Sequence, residues 1–193
     1  MTPTPIASHV TSTTTTSSPG TGGRPQCRLA TDSDWPLIWP FWQQIVAAGD
    51  TYCYDPATGY EAGRRMWFGS PPDQVWLVTE GDPGSHGESG TVLGSYRIGP
   101  NKAGPGSHVG TASYMVSAAA RGKGIGRAMV LHCLEQASAA GYRGIQFNAV
   151  AASNVYAVKL YVDLGFEVIG TVPGGFRHPE QGFVDLLIMY QPL

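Results

Sequence analysis

The segment Arg121-Gly-Lys-Gly-Ile-Gly126 combines three glycines with two cations, and Arg127 adds a third cation directly after it. Glycines lack a Cβ, so backbone N–H groups beside them can approach an oxygen-rich anion closely. A helix that begins here adds roughly half a positive charge at its first turn. The segment is therefore suited to binding a pyrophosphate.

Two common phosphate-binding patterns do not fit this segment. A dinucleotide fingerprint, Gly-x-Gly-x-x-Gly, would place its last glycine where Arg127 stands. A P-loop would need Gly at Ser117 and Ser or Thr at Gly124. The pattern that remains is Arg-x-x-Gly-x-Gly. Because short glycine motifs are weak signals, this pattern has an alternative interpretation, which is a glycine-rich helix start with solvated cations.

The elements around the segment follow from hydrophobic periodicity. A strand at 111–117 precedes it, and a helix follows with an apolar stripe and an end at Gly141. That stripe consists of Ile125, Met129, Val130, Cys133, Leu134 and Ala137. Further elements are expected at 26–30 (strand), 35–42 (helix), 60–68 (helix), 74–79 (strand), 91–98 (strand), 145–150 (strand), 153–164 (helix), 166–172 (strand) and 184–190 (strand). This order predicts an α+β fold.

Pro40 is expected to kink or restart the helix that begins at Trp35, and residues 81–90 to form a turn. The Thr-, Ser- and Pro-rich residues 1–24 cannot bury enough apolar surface to offset their ordering entropy, which predicts a disordered tail. Residues 25–193 then form a single domain.

Composition excludes several function classes. The formal net charge is −2, which offers no general field for a nucleic acid or an anionic membrane. Apolar runs are shorter than a bilayer span, and no export signal is recognised, so a soluble, cytoplasmic protein is expected. The three cysteines and five histidines lack metal-ligand spacing, which predicts no metal. The oligomeric state, a homodimer included, stays open.

The flanking residues add further motifs in one order. Tyr114-Met-Val116 ends the strand, Arg121–Gly126 opens the helix, Asn154 and Ala157 stand as Asn-x-x-Ala, and Leu160-Tyr161 precedes Leu164-Gly165-Phe166. Over residues 111–170 this sequence resembles the GNAT superfamily of N-acetyltransferases.

The resemblance implies a mixed, splayed sheet of about six or seven strands flanked by about four helices. It also implies acetyl-CoA as co-substrate, with its pyrophosphate on the glycine segment and its pantetheine arm paired with the end of the strand. The implied cofactor-binding residues are Tyr114, Met115, Val116, Arg121, Gly122, Lys123, Gly124, Ile125, Gly126, Arg127, Asn154 and Tyr161.

Acetyl transfer from a thioester to an amine needs an oxyanion donor, a proton for the departing sulfur and a base for the amine. Asn154 and Tyr161 are seven residues apart, so they lie on one helix face about 10 Å from each other. Tyr161 can supply the proton, because a phenol is neutral at pH 7. The backbone N–H near Met115 or Val116 is the expected oxyanion donor.

The general base is not identified by the sequence. The central strands carry no acid, and Asn148 can orient an amine or a water but cannot take a proton. A water chain is one alternative, and the others are His108, His178 and Asp185.

Asn148, the 49–52 loop and residues 174–179 partly resemble the fungal acetyltransferases of proline-like imino acids such as azetidine-2-carboxylate. That branch has Asn near Thr111 and Trp near Tyr161, and this chain differs at both. Arg177 has the charge to bind a substrate carboxylate, and Tyr52, Tyr54 and Phe176 are suited to form a small pocket; the alternative is that these residues belong to surface turns and packing.

Three functions are consistent with these features. The leading hypothesis is an acetyltransferase acting on a primary or secondary amine of a small metabolite or amino-acid analogue. A protein or peptide N-acetyltransferase is the alternative among enzymes. A non-catalytic acyl-CoA sensor is the alternative of another class, which the missing acidic base would allow.

Overall fold

The computed structural model describes residues 25–80 and 90–193, so the expected tail and nearly all of the expected turn at 81–90 lie outside the described residues. Seven strands are present: β1 (Pro25–Leu29), β2 (Gln74–Glu80), β3 (Val92–Pro100), β4 (Val109–Val116), β5 (Gly144–Ala151), β6 (Glu167–His178) and β7 (Gly182–Pro192). They form one mixed sheet in the order β1-β2-β3-β4-β5-β7-β6. The α-helices within these ranges are α1 (Trp35–Ala48), α2 (Tyr60–Phe68), α3 (Ile125–Ala139) and α4 (Val155–Asp163). The expected fold class is confirmed.

The helix α1 packs its aromatic residues on one face of the sheet. Trp35 and Trp42 are fully buried, together with Trp67 of α2 and with Leu77 and Met115 of the strands. The helix continues through Pro40, so the expected restart does not occur. It ends at Gly49, whose φ of 65° is the left-handed conformation that glycine adopts without strain.

The helix α3 packs on the opposite face. Along β2, Leu77 contacts the α1–α2 side and its neighbour Val78 contacts the α3 side, as strand alternation requires. The stripe expected from the sequence is buried at Ile125, Met129, Val130, Cys133 and Ala137, with Leu134 half-buried. Two apolar cores therefore hold the sheet between them.

The last two strands are longer than the sequence predicts. The strands expected at 166–172 and 184–190 leave residues 174–178 outside any strand, and that expectation is wrong, because Phe176 pairs with Val184 and His178 with Gly182. The pairing is irregular between Val172 and Phe176. The sequence hides this strand because its glycines interrupt the alternation of polar and apolar residues.

Among residues 25–80 and 90–193, none of the helices combines the length and the hydropathy that crossing a bilayer requires.

Candidate functional site

The sheet divides between β4 and β5. These parallel neighbours pair only at Val109 with Gly144 and at Gly110 with Ile145, and beyond these two pairs the strands separate. A cleft of about 1040 Å³ opens at the separation. It is lined by β4, β5, the end of α1, the loop before α2, the glycine segment and α4. All these elements thus meet at one concave site.

The open side of β4 presents main-chain groups to this cleft. Ser117 N donates to Leu93 O at 2.9 Å, and Asn101 N donates to Val109 O at 2.8 Å, so the odd-numbered residues of β4 bond to β3. In an antiparallel ladder, the residues between bonded pairs direct N–H and C=O to the other side. Tyr114 and Val116 therefore offer these groups to the cleft, whereas the Met115 amide belongs to the β3 ladder.

The glycine segment lies at the start of α3. Gly122 and Gly124 have φ values of 74° and 77°, and a Cβ at either position would meet no atom within 4 Å. The first backbone bond of α3 runs from Ala128 N to Gly124 O at 3.1 Å, which leaves the amides of the first helical turn without a partner in the helix. Left-handed glycines thus expose a group of amides suited to an anion.

The three cations of this segment differ in placement. Arg121, Lys123 and Arg127 are all exposed, but only Arg121 lines the cleft. Ile125 and Gly126, which begin α3, line it as well. The positive charge nearest the cleft is therefore at Arg121.

Two residues of α4 face the cleft as the seven-residue spacing predicts. Asn154 is the N-cap of α4, and its side-chain oxygen accepts from Ala157 N at 3.2 Å. Its amide N–H₂ group has no hydrogen-bond partner among the described residues. Tyr161 packs against Phe147, with ring centroids 4.6 Å apart. Burial, with a smaller effect of Cys133, raises the pKa of Tyr161, so the phenol keeps its proton at neutral pH.

The loop between α1 and α2 is connected to β4 by a phenol. The Tyr52 hydroxyl donates to the Tyr114 carbonyl at 2.7 Å, on the open side of the strand. Its ring stacks on Tyr54, which stacks in turn on Trp42 of α1, at centroid distances of 5.3 and 5.9 Å. Burial raises the pKa of Tyr52, so its hydroxyl stays a donor at neutral pH, and Tyr52 and Tyr161 both line the cleft.

Asn148 lines the cleft from β5 and is held by two neighbours. Its Nδ2 donates to Asn101 Oδ1 at 2.6 Å, and its Oδ1 accepts from Gln146 Nε2 at 2.8 Å. One Nδ2 hydrogen and one lone pair of Oδ1 stay free for a ligand or a water.

Other residues singled out from the sequence lie away from the cleft. Phe176 is buried in a small separate core with Ala151 and Leu186, and Arg177 is exposed on β6. Neither lines the cleft. The suggested bases do not line it either: His108 Nδ1 lies 3.0 Å from Pro105 O, His178 accepts from two amides of its own turn, and Asp185 accepts from Gly174 N.

One carboxylate of the cleft was not identified from the sequence. Asp50, directly after the C-cap of α1, is among the lining residues. Its signal was present in the 49–52 loop, but nothing in the sequence shows that this loop reaches the separated strands. Within the described part of the chain, His, Cys, Asp and Glu side chains form no group of three or more that could hold a metal ion.

The family model described as "Acetyltransferase (GNAT) family" matches residues 38–166. A GCN5-related N-acetyltransferase from Kribbella flavida is 48% identical with a TM-score of 0.80, and the match covers 88% of this chain and 98% of that one. A Salmonella typhimurium acetyltransferase, yncA, whose structure includes its cofactor acetyl-CoA, shares the fold at 21% identity and a TM-score of 0.69, covering 89% and 95%.

Two curated relatives match over part of their length. The N-acetyltransferase aca1 of Schizosaccharomyces pombe is 33% identical over 99 residues, which cover 51% of this chain and 47% of that protein. Protein SPT10 of Saccharomyces cerevisiae is 30% identical over 97 residues, covering 48% and 15%. The match thus spans about half or less of these relatives.

Proposed function

The chain belongs to the acetyltransferase (GNAT) family of transferases, and from that premise we propose that its cleft binds acetyl-CoA and transfers the acetyl group to a primary or secondary amine of a small molecule. One observation carries the proposal. The open edge of β4, the amides at the start of α3 and the Tyr161 phenol all line a single cleft.

The residues of the cleft fit the parts of the carrier. The amides of Gly122 and of 124–127, with the charge of Arg121, suit a diphosphate, whereas the Lys123 amide donates to Ala120 O. The open N–H groups of Tyr114 and Val116 and the open C=O of Val116 suit the amides of a pantetheine arm, which can pair with them as an added strand does, whereas the Tyr114 C=O already accepts from the Tyr52 hydroxyl. The unpartnered N–H₂ group of Asn154 is a further donor on the same path. Acetyl-CoA supplies the activated acetyl thioester.

Tyr161 and the open edge of β4 supply two of the three groups that the transfer needs, the proton donor and the oxyanion donor. The N–H groups of Tyr114 and Val116 point to the cleft and can donate to the thioester oxygen as negative charge develops there. The Tyr161 phenol, protonated and buried, can give its proton to the departing sulfur. Asn148 has free capacity to orient the amine or a water that carries its proton away.

Asn154 offers a test of carrier binding that separates binding from folding. Asn154→Asp keeps the oxygen that caps α4 but loses the N–H₂ donor and adds a negative charge on the path proposed for the carrier. We expect the affinity for coenzyme A, measured by calorimetry, to fall about tenfold, with little change in melting temperature. Asn154→Ala loses the cap and should cost ~1 kcal/mol of stability. An Asp variant that binds coenzyme A as the parent does would exclude Asn154 from the carrier site.

A panel of amines tests the function itself. Release of free thiol from acetyl-CoA is followed with two matched pairs of acceptors and with a short peptide. The pairs are pyrrolidine with proline, and butylamine with 4-aminobutanoate. Transfer to the small amines is expected, with a rate that depends on acceptor concentration. Transfer to the peptide alone would favour the peptide acetyltransferase. Coenzyme A binding by calorimetry with no acceptor-dependent thiol would favour the sensor.

The cytoplasmic location, the absence of a metal and the single domain stay predictions from the sequence.

A further inference from the structure

The charges of the cleft lie at two different places. Among its 29 lining residues, Arg121 and Asp50 are the charged side chains. Arg121 belongs to the glycine segment, which the proposed function assigns to the carrier. Asp50 belongs to the loop between α1 and α2, next to Tyr52, whose hydroxyl bonds the β4 carbonyl. The half of the cleft left for the acceptor therefore contains a negative charge.

Within residues 25–80 and 90–193, this carboxylate has no cationic partner. The ion pairs among the described residues are Arg28–Asp34, Arg64–Asp32, Arg64–Glu61, Arg97–Asp73 and Lys159–Asp163. The hydrogen bond that Asp50 accepts comes from the neighbouring Thr51 hydroxyl, at 3.2 Å. Arg97 lies beside the Tyr54 phenol, but its guanidinium is already bound to Asp73 at 2.7 Å and to Met66 O at 2.6 Å.

The end of α1 adds negative potential at the same place. Gln44, Ile45 and Ala48 of its last turns line the cleft just before Asp50. A helix of 14 residues directs the negative end of its dipole to its C-terminus, and the last turn of α1 has no basic residue to balance it. The ring of Tyr52 beside it also lines the cleft, and its face that is not stacked on Tyr54 is a surface on which an ammonium group is favoured.

We infer that Asp50 selects the acceptor by charge. The acceptor class is a cationic amine without a carboxylate, and not a free amino acid. The inference rests on the proposed function and names the chemical class of acceptor that binds in the acceptor half of the cleft. The acceptor approaches as an ammonium group, which Asp50 and the helix end attract, and it gives its proton to a water before the neutral amine attacks the thioester. A carboxylate brought to the same place is repelled, and none of the described lining residues on that side of the cleft is a cation.

The test uses the matched amines in competition for acetyl-CoA. For the full-length protein we expect pyrrolidine to be preferred to proline, and butylamine to 4-aminobutanoate, by at least tenfold in kcat/KM. Asp50→Asn should reduce that preference about tenfold, because the carboxylate of proline or of 4-aminobutanoate no longer meets a like charge. Asp50→Lys should shift the preference towards the carboxylate-bearing amines. The KM for acetyl-CoA should stay the same in all three proteins. A variant that folded poorly would instead show a changed KM for acetyl-CoA.

Asp55→Asn is the matched control. Asp55 lies in the same loop, is exposed, and accepts from Ala57 N at 2.9 Å, which an Asn side chain can also do. Its acceptor preference should equal that of the parent protein. A parent protein that prefers proline or 4-aminobutanoate overturns the inference, and so does an unchanged preference in Asp50→Asn. Both results leave the acetyltransferase proposal intact, whereas a parent protein that acetylates no amine overturns the two together.

Discussion

Gly124→Glu is expected to lower the affinity for coenzyme A about 100-fold. Gly124 stands directly before α3 with a φ of 77°, and the space beside it is open, so a side chain there occupies the volume proposed for the diphosphate. One added negative charge about 5 Å from an anion costs roughly 3 kcal/mol at a partly screened site. Calorimetric titration with coenzyme A measures the effect.

Gly141→Glu provides the control for this prediction. Gly141 has a φ of 84° and open space like Gly124, but it follows the other end of α3. Both variants should therefore lose about 1–2 kcal/mol of stability from the left-handed conformation. Only Gly124→Glu should lose coenzyme A binding. Equal binding by the two variants would show that the start of α3 is not the carrier site.

Tyr161→Phe is expected to lower kcat about 10²- to 10⁴-fold, the usual contribution of a positioned proton donor. The ring contacts of Tyr161 with Phe147 and Phe166 involve no hydroxyl, so the variant should keep its packing and its affinity for coenzyme A. Steady-state kinetics with an accepted amine measures kcat, and calorimetry measures the affinity.

Tyr142→Phe is the companion variant. The Tyr142 phenol is also partly buried, which raises its pKa, but it lies outside the cleft. Its kcat should stay within a factor of two of the parent. If Tyr161→Phe turns over as fast as Tyr142→Phe, the proton reaches the sulfur by another path.

The elements proposed to bind the carrier could be predicted because each has a local signal. The pattern of α3, the spacing from Asn154 to Tyr161 and the glycines at 122 and 124 depend on residues close in sequence. Their arrangement around one cleft was implied by the resemblance.

The acceptor side could not be predicted in the same way. Asp50 and Tyr52 reach the cleft because the Tyr52 hydroxyl meets the Tyr114 carbonyl, a contact across 62 positions that no periodicity reports. Residues 174–178 join β6 because β7 supplies partners for them, although their glycines favour a loop. Which of Tyr114, Met115 and Val116 has a free amide depends on the register with β3, and a sequence does not give that register.

The sparse pairing between β4 and β5 also concerns how the molecule holds together. Two residue pairs join the four-stranded part of the sheet to the three-stranded part, and α3 contacts β4 and β5 on both sides of this seam. This helix therefore connects the two parts of the sheet at the place where its strands pair least. The first turn of this helix is the proposed binding site of the carrier. A ligand bound there would therefore contact the helix that joins the two parts of the sheet, and occupancy of the cleft would be coupled to the stiffness of the whole domain.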